Sequence, residues 1–375
     1  MKEHVIQEMD AGTRLDKYLV RILPYAGKSF LYKMLRKKNI VINDKKADGT
    51  EKLKAGDSVK IYFSDETYEK FRPAKKGLDS KRDLASKKES MNPKKPEADN
   101  RSTSSKKANP SAGQDQTLLA KKLEQMIVFK NEDFVALSKP AGILSQKAEP
   151  SDISLVEYLS AYMSKVLNMD FSNTAFRVGV SNRLDRNTSG LVLAGLNSRG
   201  QRELGNAIKE RSVKKYYICL VRGKIDERSD IKAYLIKNEK NNKVTISRNK
   251  TGNKDEKLIE TAFIPLAFND SYTLLKVHLI TGRSHQIRAH LASIGHPLLG
   301  DGKYGDKALN QALNKKYKIK YQMLHSYELV IPQGLMSSIT EETVIRTPLP
   351  DVYIDFLKRE GLWEPGIQEA LEDQH

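Results

Sequence analysis

Residues 71–122 interrupt any single core this chain could build. They carry 14 Lys or Arg against 6 Asp or Glu, with recurring Ser, Pro and Asn, few apolar side chains and no apolar period. Such a segment buries too little surface to offset the entropy lost on ordering. The parts on either side must therefore fold separately. The expected organisation is a small domain at 1–66, a basic flexible linker at 67–122, a large domain at 123–362 and a tail at 363–375.

The net charge is +18 over 375 residues, and the interruption supplies only +8 of it. The remainder lies on the folded parts and points to a polyanionic partner. A single cysteine, Cys219, excludes an internal disulfide, and no apolar run approaches a membrane span. The opening Met1-Lys2-Glu3-His4 has no apolar signal core. These features lead us to expect a cytoplasmic protein without membrane attachment.

Residues 12–64 read as a compact basic module. Leu15, Tyr18, Leu19, Ile22 and Leu23 share one helical face, and Pro24 ends that helix. A second helix opens at Gly27-Lys28-Ser29, with Lys28, Arg36, Lys37 and Lys38 placed for contact with a polyanion. Ile40-Val41-Ile42 and the alternating Val59, Ile61 and Phe63 read as strands.

In the large region, strands are expected at 125–129, 134–138, 176–180, 191–194, 216–221, 231–235, 243–246, 261–268, 272–280 and 322–329. Helices are expected over about 154–167, 198–210 and 285–294, with a final helix capped by Asp351. Several hairpins and little regular strand–helix alternation imply an α+β fold with a mainly antiparallel mixed sheet.

Three stretches concentrate chemistry. Arg183-Leu184-Asp185-Arg186 holds one carboxylate between two arginines, an electrostatically primed group beside cations that attract phosphate. Lys214 to Gly223 places a phenol on a strand, and Leu279 to Asp301 packs Arg, His and Gln at a helix start. Other patterns fail their context. Gly300 to Gly305 fits G-x-G-x-x-G but follows a helix and a His-Pro loop, where a dinucleotide site needs a strand. Gly27-Lys28-Ser29 lacks the upstream glycine of a P-loop. His285 and His290 are five apart, not the four that let a helix share a metal, so no metal site is expected. Ser189 lacks the G-x-S-x-G of a hydrolase elbow.

The segment "GTRLDKYL…SFLYKMLRKKNIVIND…LKAGDSVKIYF" resembles the S4 RNA-binding domain. "KPAGILSQ", "NRLDRNTSGLVLAG", "KKYYICLVRG", "LITGRSHQIRAHLASIGHPLLGD" and "LHSYEL", in that order, resemble the RluA-type RNA pseudouridine synthases, the RluC-like subgroup in particular. The resemblance implies the pseudouridine synthase fold, isomerisation of uridine in RNA and no cofactor. It implies 23S rRNA as partner; no DNA partner is expected, and the oligomeric state stays open with a monomer as the default. It makes Asp185 the catalytic carboxylate, Tyr217 the active-site tyrosine, Arg288 the basic partner of Asp185 and Leu324 an apolar wall. Arg183, Arg186, Arg283, His285 and Gln286 become candidates for RNA contact. One departure is Asn182, where the family commonly has His; Asn loses the titratable group. The competing expectations are a tRNA-directed synthase and a non-catalytic RNA-binding or ribosome-assembly protein.

Overall fold

The computed structural model describes residues 1–72, 112–171, 174–238 and 243–372. These divide into two compact units, one drawn chiefly from residues 1–72 and the other chiefly from 116–372.

The first unit runs β1 (Lys2–Val5), α1 (Leu15–Ile22), α2 (Lys28–Arg36), β2 (Ile40–Ile42), β3 (Lys45–Lys46), β4 (Ser58–Ile61) and α3 (Asp65–Phe71). Its sheet has the order β1-β4-β2-β3 and is antiparallel throughout. The α1 face anticipated from apolar spacing is the buried one: Leu15, Tyr18 and Leu19 are fully enclosed with Leu35, Ile40 and Ile61. Lys28, Arg36, Lys37 and Lys38 are all exposed.

The second unit comprises α4 (Ala112–Glu124), β5 (Ile127–Lys130), β6 (Phe134–Lys139), α5 (Leu155–Lys165), β7 (Ser189–Gly195), α6 (Ser198–Glu210), β8 (Lys214–Arg222), β9 (Ser229–Asn238), β10 (Lys243–Ser247), β11 (Lys257–Phe268) and β12 (Tyr272–Leu279). It continues with α7 (Gln286–Ser293), α8 (Lys307–Tyr317), β13 (Leu324–Ile331), β14 (Thr343–Arg346), α9 (Asp351–Arg359) and α10 (Ile367–Glu372). Ten strands form one sheet of order β10-β9-β11-β12-β8-β13-β7-β6-β5, with β14 paired to β13. Among the described pairings between these strands only β13 to β7 is parallel. The fold is α+β with a large mixed sheet.

Helices cover both sheet faces, and β8 shows why its sequence is apolar almost throughout. Tyr217, Cys219 and Val221 pack on one face with residues of α5 and α7. Ile218 and Leu220 pack on the other with residues of α8, α9 and α10. Each such side chain, fully buried, contributes about 1.5–3 kcal/mol of apolar transfer. The parallel joint depends on Gly190, whose φ is +106°. A Cβ there would lie 2.2 Å from the Ser326 carbonyl oxygen, so β13 could not approach.

Several expectations change. Residues 176–180 are not a strand; they are irregular chain, and the adjoining Ser181 N–H donates to Leu193 O of β7. Both ends of the segment expected as linker are helical. Tyr68 of α3 is buried and hydrogen-bonded through its hydroxyl to His4, and Leu119, Ala120 and Leu123 of α4 enter the core. The remainder of that segment, 73–111, lies outside the described residues. The expected tail contains α10, held by buried Ile367 and Leu371, and α9 is capped by Pro350 with Asp351 as its first residue. None of the described helices is long and apolar enough to cross a membrane.

Candidate active site

Asp185 lies on the turn between the irregular 174–180 segment and β7, and neighbouring groups clamp that turn from several sides. Asn182 donates to Leu191 O at 3.2 Å and accepts from Leu193 N–H at 2.7 Å, tying the turn to β7. Ser145 Oγ accepts from Leu184 N–H and donates to Leu184 O, at 3.0 and 2.9 Å. Behind the turn, buried Lys139 donates to the carbonyls of Pro140, Ile143 and Arg186 at 3.0, 2.9 and 3.1 Å. Burial pushes this ammonium down to about 7, with the Asp185 charge opposing. Three carbonyl acceptors use all three of its protons, and that coordination holds the charged form.

Arg288 reaches Asp185 from α7. Its Nη1 donates to Asp185 Oδ2 at 2.7 Å, while Nε and Nη2 grip Asp301 at 2.7 and 2.9 Å. Asp301 is fully buried and also accepts from the backbone N–H groups of Lys303 and Tyr304. Burial alone would lower the Arg288 pKa; the hydrogen bonds and charges of Asp301 and then Asp185 outweigh it and raise it. Burial would likewise raise the Asp301 carboxyl, but Arg288 holds it below the usual carboxylate range. The Tyr304 ring lies 5.3 Å from the Arg288 guanidinium carbon.

His285 caps α7 in the left-handed conformation, φ +54°. Its Nδ1 is 2.9 Å from Tyr304 Oη, which itself accepts from Val244 N–H at 3.0 Å. The other ring nitrogen, Nε2, lies 3.9 Å from Asp185 Oδ2. That distance is an electrostatic contact, too long for a hydrogen bond. Burial lowers the His285 pKa, and the Asp185 charge opposes it.

Asp185, Tyr217, Arg288, Arg183, Arg186, Arg283, His285 and Leu324 all line one cleft of about 910 Å³. Tyr217 and Leu324 are buried in its wall, whereas Arg183, Arg186 and Arg283 are exposed. Burial pushes the Tyr217 phenol up to about 12. Gln286 also borders the cleft but turns inward, which corrects its assignment to RNA. Its Oε1 accepts from Thr281 Oγ1 and Arg283 N–H, and its Nε2 donates to Glu260 O and Thr261 Oγ1. Its polar groups are thus committed to fixing the 281–283 turn. Lys28, Arg36, Lys37 and Lys38 belong to the other unit and are not among the residues lining the cleft.

Sequence reasoning missed Asp301, Tyr304, Lys139 and the cations Lys147, Lys209, Arg211 and Lys215. Asp301 closed the third chemistry-bearing stretch without being given a role, and Tyr304 stood only inside the Gly300–Gly305 pattern set aside as a false dinucleotide motif. Among the described lining residues there are eight Lys or Arg and one carboxylate, Asp185.

An open cleft with one carboxylate, an arginine partner and a cationic rim defines an enzyme site for a polyanionic substrate. Residues 133–293 match the model of the RNA pseudouridylate synthase family. The chain is 30% identical over 303 residues to "Ribosomal large subunit pseudouridine synthase C" of Vibrio parahaemolyticus, covering 80% of this chain and 79% of that protein. It is 28% identical over 342 residues to the protein of the same name from Rickettsia conorii, covering 90% and 94%. The chain belongs to the RNA pseudouridylate synthase family, and it is an RNA uridine-to-pseudouridine isomerase. The fold is also that of "Human RNA Pseudouridylate Synthase Domain Containing 4", with a TM-score of 0.54 at 21% identity, covering 68% of this chain and 99% of that one.

Proposed function

We propose that the protein isomerises uridine in large-subunit ribosomal RNA, 23S rRNA or its precursor, with Asp185 as the catalytic carboxylate. The observation that carries this reading is the Asp185–Arg288 pair, 2.7 Å apart, in a cleft whose other charged lining residues are cations. The substrate class is supported by relatives named as ribosomal large subunit pseudouridine synthases.

The reaction breaks the C1′–N1 bond, turns the detached base and joins C5 to C1′, with the C5 proton lost and a proton gained at N1. No electron is lost and no group donor is needed. The target base must leave its stack, at a cost of a few kcal/mol, so looped or unfolded RNA is favoured. Asp185 acts at the sugar–base junction by attack on C1′, addition to C6 or removal of the 2′ proton. Arg288 holds the carboxylate in place through a charge-assisted hydrogen bond. Tyr217 and Leu324 offer buried faces against which the base can lie, and Arg183, Arg186 and Arg283 offer charge to the phosphates. The first unit, with its S4-like sequence and exposed Lys28, Arg36, Lys37 and Lys38, adds affinity for RNA, and the enzyme works as a monomer in the cytoplasm.

The test is tritium release from transcripts labelled at uridine C5. The expected result is release from large-subunit RNA and none from small-subunit or transfer RNA. Release from transfer RNA alone would overturn the substrate assignment.

A further inference from the structure

Three cations on one wall of the cleft have no part in holding Asp185. Lys209 and Arg211 lie at the C-terminal end of α6, Lys215 lies on β8, and all three line the cleft. Lys209 and Arg211 have an ordinary structural use, since positive charge near a helix C-terminus is favourable. Lys215 has none. The residue is 7% exposed, and its ammonium makes a single long hydrogen bond, 3.4 Å, to Val213 O. No carboxylate pairs with Lys215, Arg211 or Lys209 among the described residues. Burial lowers the Lys215 pKa, and the neighbouring Arg211 charge lowers it further. A buried ammonium beside a second cation is costly unless an anion joins them.

We propose that Lys215, with Arg211 and Lys209, forms a phosphate-binding subsite for an RNA phosphodiester adjoining the target uridine. Lys215 and Tyr217 are two apart on one strand, so their side chains leave the same face about 6.7 Å apart. That span suits a base lying against Tyr217 with a neighbouring phosphate on Lys215. The anion completes the coordination that the free protein leaves unfilled, and the subsite would fix the strand entering or leaving the site. This inference rests on the cleft being the RNA site.

The test compares wild type with Lys215→Met, which keeps the buried aliphatic stem, Arg211→Gln, and an exposed control on α9, Lys358→Met. Binding of a large-subunit rRNA transcript is titrated over a salt series, and tritium release is measured at steady state. Each subsite variant should lower the slope of log affinity against log salt by about one and raise KM with kcat retained. Slopes and KM equal to those of Lys358→Met would overturn the subsite. A fall in kcat at unchanged KM would overturn it too, because Lys215 would then be supporting Tyr217. If wild type released no tritium, the assigned activity would fail, and the salt slopes would still decide the subsite.

Discussion

Tyr217 and Asp185 line one cleft with opposite burdens: a phenol sealed in the wall, and a carboxylate reached by solvent and gripped by Arg288. With its pKa pushed up to about 12 by burial, Tyr217 keeps its proton at neutral pH and offers a ring and an O–H. Tyr217→Phe is therefore expected to leave the shape of the pH profile of kcat/KM unchanged between about pH 6 and 10. Loss of a limb of that profile in the variant would contradict this. At this scale the sequence was legible where charge and motif coincide, as at Asp185 and Arg288. It misled at Gln286, because a polar side chain in a polar run reads the same whether it faces RNA or turns inward to a carbonyl. Asp301 was hidden differently: the partner it serves is thirteen residues away, across a helix end that spacing alone does not close.

The element that sets the geometry is the 301–304 turn beneath α7. Asp301 holds two arms of Arg288, its third arm holds Asp185, and Tyr304 touches both Arg288 and His285. Asp301→Asn removes a buried charge from a buried pair, so unfolding in urea should show a loss of about 3 kcal/mol. It should also lower kcat more than it raises KM, since Arg288 would no longer be fixed against Asp185. A variant as stable and as active as wild type would contradict the clamp. Strands with strong alternation or long apolar runs were legible, β8 and β11–β12 among them. Residues 176–180 look like a strand by composition yet find no ladder: β13 pairs with β7 only at Ser189 and Gly190, and the neighbouring edge of β7 at Leu191 and Leu193 is met by Ser181 and the Asn182 side chain. The helix α8 escaped notice because its Lys- and Asn-rich surface masks a narrow apolar stripe, Leu313 and Tyr317.

Across the whole molecule, charge and burial act in separate places. Cations crowd the cleft, eight Lys or Arg against one carboxylate among its described lining residues, while several histidines are enclosed elsewhere. Burial lowers His290 and His325 from 6.5 to about 4. Above pH 6.5 these groups are neutral folded or unfolded and contribute no pH dependence. As pH falls from 6.5 towards 4 the unfolded chain takes up protons that the folded one refuses, so stability is lost by about 1.4 kcal/mol per pH unit for each histidine. Urea midpoints measured across that window should fall steadily; a flat midpoint would contradict the burial of these rings. The division into two parts was legible because composition breaks sharply at 71–122. Its edges were not, because the short apolar sets of α3 and α4 are diluted by Lys and Glu around them.

The proposed chemistry turns on one group, the Asp185 carboxylate. The most direct measurement is tritium release from C5-labelled large-subunit RNA by wild type and Asp185→Asn, with RNA affinity and urea unfolding measured on the same preparations. The variant is expected to fold and bind RNA like wild type and to release no tritium. Substantial release by a folded Asp185→Asn protein would contradict this.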